Sequence, residues 1–484
     1  MSEQSLRRAA VFPDLETALP WLIAGAIGVL LLVLAPRLLS DPDTYSHIAL
    51  GRWIVAHHTI PWVDPMSQTM HGTPWIAFEW LSQVLLAGVY ELGGWPGVVA
   101  LTVLAIALAF GVLTQALGRS CPPTAVTIAV LAALILTAPH LLARPHVLAM
   151  PLTVIWFVSL IRSNDEKRGP DWRLLPVMTL WANLHGSFIF GLAMLAPLAL
   201  EALYLASPPD RRRVLLQWIA FSLLAVVAAC LNPYGPSLIL ALIRTIALGD
   251  ALNIIVEWRP QDFGHLGGYE IVLLSAFAAT LAFGVRLPLF RVLMLLGLVH
   301  LSLAQVRHTE LLGLIAPLLL ARPLAEQFNC VSAAPFNKAF NWSTSPAAVL
   351  LALAIVLGAA LRPEAAPPRA ITPEKAVRAA NLREAGPVLN DYGFGGYLDF
   401  IGIPPFIDGR GELYGQRYLM RYRQALDLRN VGDFERLLDD YKIRTTLLMP
   451  QTPAVALLDR LPGWRRVYSD DIAVVHQRVI SPDR

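Results

Sequence analysis

Charge is what this chain has least of. Asp, Glu, Lys and Arg make up only 15% of its 484 residues, while 56% are hydrophobic; a soluble domain carries about 25% charged residues. The deficit is uneven. Apolar stretches fill the chain from Pro20 to about Leu361, and charge crowds into the gaps between them and into residues 362–484. A membrane span needs about 20 apolar residues, so the pattern excludes an ordinary soluble protein and leaves a membrane bundle with a soluble tail. Cysteine is scarce too. Cys121, Cys230 and Cys330 lie far apart, in or beside apolar segments, and match neither a disulfide framework nor a metal-ligand spacing. A net charge of +3 does not point to nucleic acid, because basic residues in a membrane protein report orientation. No small-residue cleavage site follows the first apolar stretch, Trp21 to Leu39, which reads as an uncleaved anchor.

What is present is a series of apolar stretches at roughly 21–39, 97–117, 123–139, 146–162, 174–188, 189–206, 214–231, 270–285, 288–304, 309–322 and 345–361. With the N-terminus inside, alternation of these eleven spans puts fourteen Lys and Arg of the short loops on the inner side, from Arg7 and Arg8 through Arg291 to Lys338, against six outside. That is the bias of the positive-inside rule. It requires residues 76–92, which are apolar enough to insert, to lie in the outer interface or to re-enter the bundle; Glu79, Gln83 and Glu91 suit that placement. The expected architecture is an all-α polytopic bundle of about eleven transmembrane helices over 1–361, with interfacial helices in the first outer loop. A Pro- and Ala-rich linker over 362–378 leads to a small α/β domain over 379–484. There, PVLNDYG, GGYLDFIG and PPFIDGR read as strand and turn segments, DFERLLDDYKI and TPAVALLDRLPG as helices, RTTLLMP as a strand, and WRRVYSDDIAVVHQR as a hairpin.

The residues able to carry chemistry gather at the outer ends of the spans. Asp41 and Asp43 flank a proline directly after the first span, so the turn aims both carboxylates at the membrane surface. An amphipathic helix follows, with His47 and Arg52 near its polar face, and then Glu79 in an apolar context. Arg144 and His146 flank Pro145 between two spans. Asn183 and His185 lie in WANLHG, Glu257 in a long outer loop, and Arg307 and His308 at a later outer end. Ionisable groups at membrane depth are functional by default, although a lone His or Asn more often serves helix packing. Arg and His suit a phosphate or pyrophosphate. A proton relay in a transporter would use the same residue types but needs acids along the middle of several spans, and these are largely missing. In the tail, Asp408 and Arg410 either form an ordinary surface bridge or cap the membrane site from above. The glycines of NDYGFGGY match neither a P-loop nor a dinucleotide fingerprint.

The Asp41-Pro42-Asp43 pair after the first span, the interfacial helices behind it, the short-looped spans and the Tyr-rich α/β tail resemble the C-type (GT-C) membrane glycosyltransferases. These depend on polyprenyl-phosphate sugars and include protein mannosyltransferases, lipid A aminoarabinose transferases and oligosaccharyltransferases. The NLHG, LNPYG and FIDGR segments are similar to those of a bacterial branch, and the absence of a WWD-type motif argues against an oligosaccharyltransferase. The resemblance implies a multi-pass protein of the bacterial inner membrane, with a cytoplasmic N-terminus and a periplasmic tail. It implies that Asp41 or Asp43 is a general base, and that the donor is a polyprenyl-phosphate-linked sugar and the acceptor a glycan, lipid or protein. Arg144, His146, Arg307 and His308 would face the lipid phosphate; His47, Glu79, Asn183, His185, Glu257, Asp408 and Arg410 complete the expected substrate site. No cofactor is certain. A divalent cation (Mg or Mn) on Asp41 and Asp43, with a third ligand such as Glu79, is compatible with some members. The readings from other classes are a transporter or lipid flippase, and a non-catalytic membrane subunit.

Overall fold

The computed structural model describes residues 15–246, 256–330 and 346–479; Arg7, Arg8 and Lys338, counted above as inner-side charges, lie outside them. The described part up to Ala360 is helical. Five helices are long and apolar enough to cross a membrane: Trp80–Leu117, Pro123–His140, Pro145–Asp165, Phe188–Leu205 and Arg211–Ala229. Shorter apolar helices are Ala18–Val33, Leu174–Leu184, Gly268–Phe283, Leu289–Ala304 and Pro346–Ala360. Helix Thr309–Gln327 packs among them, and its Leu314 and Leu319 are fully buried. Helix Ser237–Ile246 stands where the sequence reading had only loop.

Proline sets the two helix starts that matter most. Pro42 precedes helix Asp43–His57, and the Asp43 N–H donates to Asp41 Oδ1 at 2.8 Å, an Asx-type turn. Pro145 opens helix Pro145–Asp165, where a missing N–H costs nothing. A residue before proline is pushed out of the helical region, and Arg144 is extended (φ −124°, ψ 161°). It therefore projects from the helix end. The segment 76–92 does not run in line with the following span. Gly94 breaks the helix at φ 59°, ψ −149°. A Cβ on Gly97 would stand 2.3 Å from the Val89 carbonyl oxygen, although eight residues of straight helix span about 12 Å. The chain doubles back there, and the arm before the kink packs on Asp43–His57 so closely that a Cβ on Gly51 would stand 2.0 Å from Gln83 O.

The tail holds a four-stranded sheet in the order β1 (Val388–Asn390), β2 (Thr445–Leu448), β4 (Val474–Arg478), β3 (Trp464–Ser469). β1 and β2 are parallel, with Val388 opposite Thr445, and the β3–β4 hairpin is antiparallel, bulged between Arg466 and Tyr468. The parallel pair needs a long crossover, and helices Gly395–Phe400, Gly411–Leu426 and Val431–Asp440 provide it. Two tail segments depart from the strand reading. GGYLDF is helix, and PPFIDGR is irregular, its backbone held by Asn390, which accepts the Phe406 N–H at 2.7 Å and donates to Ile407 O at 2.8 Å. Tyr45 of the first loop lies inside a tail core cluster with Tyr397 and Leu398.

Within the bundle, Arg291 is no inner-loop charge: it is 3% exposed. It donates to Glu201 Oε1 at 2.8 Å and to Leu319 O at 3.1 Å, and pairs with Asp165. Glu201 is thus a buried acid, near the end of helix Leu195–Leu205, that the sequence reading passed over. Breaking a buried pair by removing one partner costs about 3–5 kcal/mol. Arg291→Met is expected to lower the melting temperature of the detergent-solubilised protein, and adding Glu201→Leu to recover part of the loss; an unchanged melt in the single variant would contradict the pairing.

Candidate active site

One cavity of about 460 Å³ lies where the first loop, the bundle and the tail meet. Asp43, His47, Glu79, Arg144, His146, His185, Glu257, Arg307, His308 and Arg410 all line it, drawn from seven separate stretches of sequence.

Arg144 is its electrostatic hub. Nη1 donates to Asp41 Oδ2 at 3.2 Å and to Glu257 Oε2 at 2.7 Å, and Nη2 to Asp43 Oδ2 at 2.9 Å. Burial, helped by the neighbouring Asp41 carboxylate, pushes Asp43 up to about 7. Burial also raises Asp41. For Glu257, burial is outweighed by the Arg144 and Arg307 guanidiniums, which hold it down at about 2. Three acids share one guanidinium, so its positive charge does not offset the burial of the acid pair.

A second group faces the hub. His185 Nδ1 accepts the Ser187 N–H at 3.1 Å, which leaves the proton on Nε2, 3.2 Å from Glu79 Oε1. The other Glu79 oxygen is 3.8 Å from His47 Nδ1. Burial pushes Glu79 up to about 8 and His47 down to about 3, so near neutrality this wall is formed by uncharged groups. His47 Nε2 and Gln83 Oε1 are enclosed with no hydrogen-bond partner among the described residues. His146 Nε2 lies 2.7 Å from the His140 carbonyl and 3.6 Å from Glu310, and His308 Nδ1 is 3.2 Å from Leu301 O.

Arg307 differs from Arg144. Its guanidinium stacks on Trp258, 4.1 Å from the ring centroid, and among the described residues it makes no ion pair. Apolar Ile189, Phe190, Leu242, Leu301 and Leu311 line the same cavity.

The tail closes the cavity. Asp408 is fully buried and Arg410 9% exposed, so the surface-bridge reading fails. Arg410 Nη2 donates to Asp408 Oδ2 at 2.6 Å, and Nη1 to Asp64 Oδ1 at 2.7 Å; its guanidinium lies over Trp75. Glycine is required at the contact: a Cβ on Gly409 would stand 1.8 Å from Asp43 Oδ1, and one on Gly396 2.2 Å from the Pro42 carbonyl oxygen. Asp41 and Asp408 sit one layer behind the surface, each holding an arginine. Asn183 does not line the cavity. Its amide is spent on packing, accepting from Trp80 Nε1 at 2.9 Å and donating to Thr179 O and Leu231 O. Sequence reading missed Asp64, which holds Arg410, and the cavity-lining His140, Gln83, Trp258, Glu310 and Glu412, the last accepting from Trp75 Nε1 at 3.0 Å. Only the Asp64-Pro65 pair echoes the earlier Asp-Pro motif; the rest carry no local signal.

No known family model and no curated protein matches the sequence. Solved structures do. The oligosaccharyltransferase of Archaeoglobus fulgidus in its apo form superposes with a TM-score of 0.56 at 11% identity, over 90% of this chain and 70% of that one. Its complex with an inhibitory peptide and a dolichol-phosphate gives 0.55 at 11% identity, over 89% and 69%. ArnT from Cupriavidus metallidurans bound to undecaprenyl phosphate gives 0.50 at 14% identity, over 94% of this chain and 97% of that one. The chain shares the fold of these two proteins. The archaeal enzyme has also been solved as a complex with zinc and sulfate (TM-score 0.51, 13% identity, over 89% and 67%). A metal fits poorly into the present cavity. Among the described residues, as they are placed, no group of three His, Cys, Asp or Glu side chains is assembled to hold one: Asp41, Asp43 and Glu257 are spread around the Arg144 guanidinium, and Glu79 faces two histidines instead.

Arg410→Met would leave Asp408 and Asp64 buried without their cation, at a cost of about 3–5 kcal/mol. The tail is then expected to loosen, with faster tryptic cleavage at the exposed Arg369. Cleavage at the parent rate would show that the ion pair does not hold the tail in place.

Proposed function

We propose that this protein is a membrane glycosyltransferase that moves a sugar from a polyprenyl-phosphate-linked donor to a hydroxyl or amine on a cell-envelope glycan, lipid or protein. The observation that carries the reading is one cavity holding both a carboxylate, Asp43, and a guanidinium, Arg307, that makes no ion pair among the described residues, beside an apolar wall. A lipid-linked sugar phosphate asks for these three features. The solved structures of the same fold add support, since one contains dolichol-phosphate and another undecaprenyl phosphate.

In this reading Asp43 takes the proton of the acceptor O–H or N–H. The acceptor lone pair forms a bond to the anomeric carbon. The bond from that carbon to the phosphate oxygen breaks on the opposite face, its electron pair leaves with the lipid phosphate, and the anomeric centre inverts. Arg307 stabilises the charge that develops on the leaving phosphate. Arg144 is saturated by carboxylates and orients Asp43. Asp41 supports it from behind, which favours Asp43 over Asp41 as the base. The protein would cross the bacterial inner membrane about eleven times, with its N-terminus cytoplasmic, residues 362–378 as a linker and the 379–484 domain in the periplasm.

The test is transfer from labelled polyprenyl-phosphate sugars in proteoliposomes. Asp43→Asn is expected to lose about 10²–10⁴-fold in rate, Asp41→Asn less, and Arg307→Ala to weaken donor use. Because the base must be deprotonated and burial sets Asp43 at about 7, the parent rate should fall as pH drops below 7 and level off above it. Full activity in Asp43→Asn would remove the proposed base.

A further inference from the structure

We propose that Arg144 is a built-in substitute for a divalent cation: its guanidinium fills the point where Asp41, Asp43 and Glu257 converge, and the site neither binds nor requires a metal ion. Convergent carboxylate oxygens are the donor set a hard divalent cation takes. Here they come from the turn before helix Asp43–His57 and from the short helix Val256–Trp258. Each gives an oxygen to Arg144, at 3.2, 2.9 and 2.7 Å.

The other oxygens of the two aspartates are crowded by backbone. Asp41 Oδ1 accepts the Asp43 N–H at 2.8 Å. Asp43 Oδ1 is pressed against Gly409, where even a Cβ would stand 1.8 Å from it. A metal ion bound beside the guanidinium would be repelled by a fixed positive charge in a largely enclosed setting. Nor is the guanidinium a mobile guest. Pro145 keeps Arg144 extended at the head of its helix, Ala143 N–H donates to Leu38 O at 2.7 Å, and Thr44 Oγ1 to Ala143 O at 3.0 Å. The backbone just before Arg144 is thus tied to the segment that carries Asp41 and Asp43. The fold thus delivers one positive charge with fixed directionality, where an exchangeable ion would deliver two without it.

Two independent measurements decide this. The first is Mn²⁺ binding to the purified full-length protein, read as loss of the free-ion electron paramagnetic resonance signal. The parent is expected to show no stoichiometric site. Arg144→Ala removes the guanidinium and leaves the acids, and should bind one Mn²⁺ at least about tenfold more tightly than the parent, with that gain abolished when Glu257→Gln is added. A stoichiometric parent site that is lost in Asp41→Asn overturns the proposal, as does a folded Arg144→Ala that gains no binding. If Arg144→Ala fails to fold, the parent titration still decides. The second measurement rests on the glycosyltransferase reading: transfer by the parent should survive EDTA unchanged, and loss restored by Mn²⁺ or Mg²⁺ would contradict it. Absence of transfer with every donor would count against that reading alone, leaving the Mn²⁺ titrations to judge the arginine.

Discussion

The cavity between the first loop, the bundle and the tail is arranged around one largely enclosed guanidinium and the three carboxylates that hold it. An unpaired charge in such a place is costly, and a paired one is tolerated only when geometry and hydrogen bonding are satisfied. Arg144 meets that condition by drawing together segments from opposite sides of the bundle: the turn after the first helix, the head of helix Pro145–Asp165 and the short helix at Glu257. This fixes one face of Asp43. The other face is fixed by the tail, whose Gly409 backbone lies against the second carboxylate oxygen. A side chain held from both sides is pre-organised, and pre-organisation of charge is where much of an enzyme's catalytic advantage arises.

The tail repeats the device. Arg410 is gripped by Asp408 from its own loop and Asp64 from the first loop, so the tail forms a wall of the cavity. Ser46 donates to Asp399 at 2.8 Å, the Gln68 N–H to Pro405 O at 2.8 Å, and Tyr234 to Pro61 O at 2.7 Å. The first loop is thereby pinned to tail and bundle together. With Arg144 and Arg410 both spent on carboxylates, Arg307 on its tryptophan is the cavity-lining guanidinium that makes no ion pair among the described residues.

The parts of this arrangement legible in the sequence were those that proline and charge announce locally. Asp41-Pro42-Asp43 and Arg144-Pro145-His146 each declare a helix start with a polar side chain projecting from it, because proline restricts the residue before it and opens the helix after it. Placing residues 76–92 off the line of the following span followed from charge bias, and the turn at Gly94 fits it. What stayed hidden depends on distance in sequence. Nothing local marks Asp64 as the partner of Arg410, 346 residues away, or shows that the glycines of NDYGFGGY and FIDGR are needed for close approach to the first loop. Asn183 misled for the opposite reason: a polar residue at an outer turn looks like a ligand group until its amide is found spent on packing. The tail helix at GGYLDF was missed because six residues are too few for a period of 2 to be told from one of 3.6.

The most direct test of the account is a structure of the protein with a non-transferable analogue of a polyprenyl-phosphate sugar. The account predicts the phosphate in hydrogen-bond contact with Arg307, the lipid along the wall of Phe190, Leu242 and Leu301, and the anomeric carbon turned toward Asp43. An analogue bound with its phosphate at the opposite end of the bundle, against Arg119 or Arg322, would contradict it.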